Sequence, residues 1–293
     1  MIKPDNTLTD KIQYIEIDKL ILMALQEDIK NGDITSENLI SKNHKSNAIL
    51  LLKEDAVISG LEIFKRVFYL LDKKIKIKFE AKDGRFYKKG KILAKISGNT
   101  INILKGERTS LNIIQRMSGI ATNVYNSVNK LNNKSIKILD TRKTTPNFRI
   151  FEKLAVKQGG GENHRFGLYD MMLIKDNHIE AAGGILNVLD KLKKIRKNLK
   201  CETELEVKNL NELKIAIENG KGIINRIMLD NFKIEDIKKA VILINKRFKI
   251  EISGGINISN ISKYSKIKGI DYISSGSLTH SSKSTDIALD FIS

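Results

Sequence analysis

The sequence predicts an α/β protein in two parts: an N-terminal unit built on a small antiparallel sheet, then a β/α barrel or barrel-like sheet. Three observations predict it. Two short runs alternate apolar with charged or small residues, a long amphipathic helix follows them, and the rest of the chain repeats strand, loop and helix. At 293 residues there is room for one large domain or two unequal ones.

The elements follow in order. Residues 12–29 read as a helix, 47–53 as a strand and 59–71 as a helix. Lys76-Ile77-Lys78-Phe79-Glu80 and Ile92-Leu93-Ala94-Lys95-Ile96 alternate as half-buried strands do. Ser97-Gly98-Asn99-Thr100 supplies turn chemistry before Ile101-Asn102-Ile103-Leu104. A helix over 107–131 carries Ile113, Met117, Ile120, Val124, Val128 and Leu131 at spacings of three and four, one apolar stripe. Candidate strands then end at Asp140, Ile174, Val207, Asp230, Ser253 and Ser275, and 185–200, 209–219, 233–246 and 259–267 read as helices. Such alternation implies parallel strands with right-handed crossovers.

Composition narrows the class. The single cysteine, Cys201, excludes a disulfide framework and any multi-cysteine zinc site, and fits a reducing compartment. Met1-Ile2-Lys3-Pro4-Asp5-Asn6 has no apolar leader core and no apolar run reaches spanning length, so a cytoplasmic protein without membrane contact is expected. The formal charge of +18 raises the question of nucleic acid. The lysines are dispersed among acids, Ile and Asn, with no interleaved aromatics, so a solvated basic surface is expected and no nucleic-acid partner.

In a β/α barrel the active site forms at the carboxyl ends of the strands, and the polar residues fall there. Asp140-Thr141-Arg142-Lys143-Thr144-Thr145-Pro146 offers a dense set of donors for carboxylate or phosphate. Gly159-Gly160-Gly161 lets the backbone approach something closely or form an anion nest, and His164-Arg165 follow it. Lys175 lies just past the next strand. Glu204 and Glu206 then alternate on one strand face and Asp230 ends another strand; such carboxylates can hold Mg²⁺, stabilise a cation, or pair with lysines. Ser253-Gly254-Gly255 and Ser275-Gly276-Ser277 each close a strand and open a helix, a pattern suited to phosphate. No nucleophile–base pair stands out, so transfer of a phosphorylated sugar fits better than hydrolysis.

At these residues the sequence resembles the quinolinate phosphoribosyltransferases. The resemblance rests on Glu27-Asp28-Ile29 with Gly32-Asp33-Ile34-Thr35, on Gly106-Glu107-Arg108-Thr109, and on Gln115-Arg116-Met117-Ser118-Gly119-Ile120-Ala121-Thr122. It continues through residues 140–146 and 159–176, Leu229-Asp230-Asn231-Phe232, Ser253-Gly254-Gly255-Ile256 and Leu278-Thr279-His280-Ser281, in the family's order over nearly the whole chain.

The resemblance implies an N-terminal open-faced α/β sandwich over residues 1–112, with residues 281–293 packing back on it, and an incomplete TIM-like α/β barrel over 113–280. It implies a homodimer in which Arg108 completes the neighbouring site. Arg142, Lys143, His164, Arg165 and Lys175 match the quinolinate-binding cluster, with His280 beside them. Glu206 and Asp230 match the acids near ribose and Mg²⁺, and Ser253, Gly254, Gly255, Ser275 and Gly276 the phosphate binders. Lys143, Lys175, Glu206 and Asp230 are the candidates for catalysis. The implied reaction takes quinolinate and phosphoribosyl pyrophosphate, with Mg²⁺, to nicotinate mononucleotide, CO₂ and pyrophosphate.

Two positions depart from the family pattern. Asn147 stands where a Gly is usual, and Asn tolerates left-handed backbone better than most residues. The stretch from Asn219 to Ile227 is slightly long, which leaves Glu204 and Glu206 both open as the ribose and metal acid. A paralogue of the same fold with another acceptor is the alternative, and retention of the whole basic cluster argues against it.

Overall fold

The computed structural model describes residues 8–292, with side chains from residue 15 onward. Met1 to Asn6, where a leader is looked for, lie outside the described residues. The chain divides into two compact units, one running to Tyr125 with Thr145–Gly160 and the segment from Ser282, the other comprising Asn126–Thr144 and Gly161–Ser281.

In the first unit, helices α1 (Leu8–Ile29) and α2 (Ile34–Leu39) precede strands β1 (Lys45–Leu52) and β2 (Ala56–Val57). Helix α3 (Leu61–Leu71), β3 (Lys76–Phe79), β4 (Phe86–Tyr87) and β5 (Ile92–Asn99) follow, then α4 (Thr100–Leu131). Asp33 caps α2 by accepting the amides of Thr35 and Ser36 at 3.1 and 3.0 Å. Helix α3 buries Leu61, Phe64, Val67 and Phe68, a helical spacing that puts one face on the sheet. The four-stranded sheet runs β12-β1-β5-β3, where β12 (Ile287–Ile292) is the last strand of the chain and pairs antiparallel with β1. Its core gathers Leu50, Leu52, Phe64, Phe68, Leu93, Ile103 and Leu289.

The turn expected at residues 97–100 is instead strand followed at once by helix. Asn99 Oδ1 accepts the Asn102 amide at 3.1 Å and so starts α4 where the sequence pattern suggested a loop. Gly98 is a packing requirement: a Cβ there would lie 2.8 Å from Ile75 Cγ1. Helix α4 is continuous through residues 112–113, where the sequence reading placed a domain boundary; the division between units falls after Tyr125.

The second unit is a six-stranded parallel sheet in the order β6-β11-β10-β9-β8-β7. The strands are β6 (Lys137–Leu139), β7 (Met172–Ile174), β8 (Thr203–Val207), β9 (Arg226–Asp230), β10 (Lys249–Ser253) and β11 (Tyr272–Ser274). Strands β6 and β7 are its two edges, which makes it an incomplete barrel. Helices α6 (Asp176–Ala181) and α7 (Ile185–Ile195) both follow β7, α8 (Leu210–Asn219) follows β8 and α9 (Ile234–Ile244) follows β9. Helix α5 (Arg149–Gln158) belongs to the first unit, and α10 (Ser277–His280) is a single turn. The helix expected over 259–267 is only a 3₁₀ turn, Ile261–Tyr264.

Parallel register decides which side chains share a face. Glu204 pairs with Arg226, Met228 with Glu251, Glu251 with Tyr272 and Asp230 with Ser253. With the period of two along each strand, Glu204, Glu206, Arg226, Asp230, Glu251 and Ser253 therefore lie on one face of the sheet. Leu205, Val207, Ile227, Leu229, Ile250 and Ile252, all buried, lie on the other.

Candidate active site

Strand ends bring the polar residues of the second unit together. Beyond β6, the Lys143 carbonyl accepts the Thr279 hydroxyl of α10 at 2.7 Å, tying the first loop to the last. Gly276 lies beneath this link. A Cβ there would come within 2.8 Å of Lys143 Cδ and 3.2 Å of His280 Nε2, so Lys143, Gly276 and His280 meet because residue 276 has no side chain.

Arg142 lies near enough to Arg165 to be felt as a like charge. Burial, then the like charge of Arg142, holds the Arg165 guanidinium below its ordinary pKa. Arg165 is almost fully buried and donates Nη1 to the Met171 carbonyl at 3.1 Å. Two guanidinium groups in one neighbourhood suit a ligand bearing carboxylates.

Lys175 and Glu206 lie across from each other, Nζ to Oε2 at 3.7 Å. Burial raises the Glu206 pKa; Lys175 opposes the rise and Asp230 adds to it, so the two acids are close enough to repel. That separates Glu206 from Glu204, which is fully buried one step deeper on the same strand. Of the two acids left open by the sequence, only Glu206 sits at the rim beside Lys175 and Asp230.

The glycine loops need a finer account. Gly254 and Gly255 have φ of 102° and 59°, successive positive-φ positions that glycine adopts without strain. No regular helix begins there, so the helix-dipole part of the expectation for Ser253 and its glycines does not hold. Ser275 is buried and its hydroxyl donates to the Ile256 carbonyl, which ties the loop after β11 to the loop after β10. In the first unit Gly159 is a packing glycine: a Cβ there would lie 2.5 Å from the Ala121 carbonyl oxygen. Gly160, at φ 91°, faces open space.

Beneath the rim is a charged cluster that joins His164 and Glu204, both singled out in the sequence, to Glu251 and Arg226, which were not. His164 Nε2 lies 3.0 Å from Glu204 Oε2 and 3.5 Å from Glu251 Oε1, and Arg226 Nη1 donates to Glu251 Oε2 at 2.8 Å. Both glutamates are fully buried, and the Arg226 guanidinium stacks on Tyr272 at 4.1 Å. Burial disfavours a charged ring, but Glu204 and Glu251 outweigh it and draw the His164 pKa up to about 9. Burial, then Glu251, raises Glu204 to about 7. One structural contact opposes a doubly protonated ring: the Arg165 amide donates to His164 Nδ1 at 2.8 Å and needs its lone pair. The geometry therefore accommodates an imidazole protonated at Nε2. His164, Glu204 and Glu251 are close enough together to hold a metal ion, but Arg226 already supplies the positive charge there. A glutamate in the middle of an apolar strand, Ile250-Glu251-Ile252, was the available sequence signal.

In the first unit, Arg108 is exposed on α4. It lines a cavity of about 350 Å³ with Glu27, Asp28, Arg116 and Thr145. Arg116 is held by Glu152, with Nε and Nη2 donating to Oε1 at 3.1 and 2.8 Å. Asn147 takes φ 60°, the left-handed backbone anticipated for it.

The comparisons with known proteins agree on one family. Residues 33–118 match the N-terminal domain and residues 120–290 the C-terminal domain described as quinolinate phosphoribosyl transferase. The chain is 39% identical over 279 residues to a Bacillus subtilis protein named probable nicotinate-nucleotide pyrophosphorylase (carboxylating), covering 95% of this chain and 94% of that one. It is 40% identical over 292 residues to the chloroplastic nicotinate-nucleotide pyrophosphorylase of Arabidopsis thaliana, covering 94% and 82%. The crystal structure of NadC from Streptococcus pyogenes superposes with a TM-score of 0.89 at 38% identity, covering 95% of this chain and 98% of that one. Through both of its domains, this chain belongs to the quinolinate phosphoribosyltransferase family.

Proposed function

We propose that this protein transfers the phosphoribosyl group of phosphoribosyl pyrophosphate to quinolinate with loss of CO₂, giving nicotinate mononucleotide. The observation that carries the reading is the Lys175–Glu206 contact at 3.7 Å with Asp230 near Glu206, together with Arg142 close enough to Arg165 to be felt as a like charge, all at strand ends of the second unit. Adjacent carboxylates on a pyridine ring match two guanidinium groups, each able to bind one bidentately. Lys143 and His280 lie together against Gly276.

The ring nitrogen attacks the anomeric carbon as its bond to pyrophosphate oxygen breaks. Glu206 and Asp230 stabilise the positive charge that develops on the ribose. The positively charged ring nitrogen then stabilises the electron pair left on C2 when its bond to the 2-carboxylate breaks as CO₂, and C2 takes up a proton from solvent. Lys175, held by Glu206, balances charge beside the reacting ring. The glycines after Ser253 cradle phosphate through backbone N–H groups. Most of the contribution is orientation and charge placement.

The hard oxygen donors Glu206 and Asp230, close enough to repel, fit Mg²⁺ shared with substrate phosphates. Bound there, Mg²⁺ would neutralise the departing pyrophosphate.

A homodimer in which Arg108 completes the neighbouring site is supported by the exposure of Arg108. The apolar residues Ile15, Leu22 and Met23 on α1 are 68%, 49% and 56% exposed and offer surface to a second copy. A cytoplasmic place is supported by the unpaired Cys201. Among the described residues, no helix is long and apolar enough to cross a membrane. The dispersed lysines support a solvated surface rather than a nucleic-acid partner.

Incubation with phosphoribosyl pyrophosphate, Mg²⁺ and either quinolinate or nicotinate, with the product followed by chromatography, tests the reading. Nicotinate mononucleotide from quinolinate alone is expected. Product from nicotinate alone would sink it.

A further inference from the structure

Four charged or titratable side chains of the barrel interior take no part in the chemistry just described: Glu204, Glu251, Arg226 and His164. Their arrangement is directional. Glu251 and Glu204 lie within 3.5 and 3.0 Å of His164 Nε2. Arg226, stacked on Tyr272, lies 2.8 Å from Glu251 and 4.0 Å from Glu204. The ring is thus held inward by its Nε2 edge, which faces both carboxylates. Its backbone is held as well, because the His164 amide donates to the buried Asp140 carboxylate at 2.8 Å.

The opposite edge of the ring has a different task. Nδ1 accepts the backbone amide of Arg165 at 2.8 Å, which fixes the orientation of the peptide from which that side chain departs. The Arg165 guanidinium is then clamped once more by the Met171 carbonyl. A bidentate carboxylate reader is useful only when its planar fork is held in one attitude.

We propose that His164 is a positioning residue for Arg165 rather than a ligand of the substrate. Glu204, Glu251 and Arg226 are the buried base that fixes its ring. The proposal rests on the reading of Arg165 as a binder of the quinolinate carboxylates.

Two substitutions separate the edges of the ring. In His164→Asn the side-chain oxygen falls close to the place of Nδ1, so the acceptor for the Arg165 amide is kept while Nε2 is lost. In His164→Gln the amide reaches the place of Nε2 and the acceptor at Nδ1 is lost. The expected result is a KM for quinolinate within about threefold of the parent for Asn and raised roughly tenfold for Gln, with kcat changed less than KM in both. The reverse order, Gln near the parent and Asn impaired, would overturn the proposal, because it makes Nε2 the working atom.

Arg165→Ala is the control for the underlying reading. If it leaves the KM for quinolinate unchanged, the dicarboxylate role of Arg165 fails and the proposal falls with it. If it raises KM while the Asn and Gln variants follow the reverse order, the proposal alone fails. A measurement on the unsubstituted protein needs no variant to fold well. With only four histidines in the chain, long-range ¹H–¹⁵N correlation resolves the rings, and His164→Asn assigns the signal. Protonation at Nε2 with a bare Nδ1 is expected, and a proton on Nδ1 would contradict the contact with Arg165.

Discussion

Asn231 occupies the space that a side chain on Gly254 would fill. Its Oδ1 lies 2.2 Å from the Cβ position there, while its Nδ2 donates to Asp230 Oδ2 at 2.8 Å and its amide to the Ser253 carbonyl at 3.0 Å. Asn231 itself takes φ 56°, a left-handed backbone that Asn accepts more readily than most residues. The acid at the end of β9 and the glycine loop at the end of β10 therefore share one scaffold.

Gly254→Ala should consequently damage stability and activity together. The residue sits at φ 102°, and the added methyl would collide with Asn231. A loss of about 1–3 kcal/mol in unfolding free energy is expected, with kcat lowered through displacement of Asp230. Thermal melts and steady-state kinetics on the same preparation check this. An unchanged melt with full activity would mean that the loop moves without consequence for Asp230.

The metal reading predicts dependence on a hard divalent cation. Removal with EDTA should abolish turnover and added Mg²⁺ should restore it, and Glu206→Gln should lower kcat by on the order of a hundredfold. Activity that survives exhaustive chelation would remove Mg²⁺ from the account and leave Glu206 and Asp230 as purely electrostatic groups.

Arg108 is expected to act in trans. Arg108→Ala and Lys175→Ala chains should each be inactive, yet a mixed dimer would contain one site with both residues intact. Random mixing should then recover roughly a quarter of the parent activity, as two-fold symmetry requires. No recovery in verified mixed dimers would show that each chain uses its own Arg108.

Asp83 supplies a pH dependence of stability in the first unit. Burial lifts its pKa to about 6, against the amides of Leu61 and Gly60, which lower it. The folded state then holds this proton between the ordinary carboxylate range and pH 6 while the unfolded chain has released it. Stability should therefore fall as pH rises from about 4 to about 6 and level off above, by at most about 3 kcal/mol. Urea titrations across that range measure it. Asp83→Asn, whose oxygen can still accept the Leu61 amide, should flatten that portion of the profile.

Much of this architecture is legible in the sequence because parallel strands buried on one face by helices write short apolar runs that end in polar residues. Met172–Ile174 before Lys175 and Arg226–Asp230 are such runs. What escapes is whatever depends on a partner distant in the chain. Gly98 and Gly159 look like turn and loop glycines, but Ile75 and the Ala121 carbonyl explain them. Glu204 and Glu206 are equivalent by spacing and separate only when neighbouring strands put Glu251 below one and Lys175 beside the other. Arg226 could not be placed at all, since its meaning comes from register with Glu204 and from Tyr272.

The central claim is that ribosyl transfer and loss of the 2-carboxylate occur on one acceptor in one site. Quinolinate carrying label in the 2-carboxylate tests it most directly, with released CO₂ and nicotinate mononucleotide measured in the same reaction. Equal amounts at every time point are predicted. Mononucleotide formed without labelled CO₂, or CO₂ released without phosphoribosyl pyrophosphate, would contradict the account.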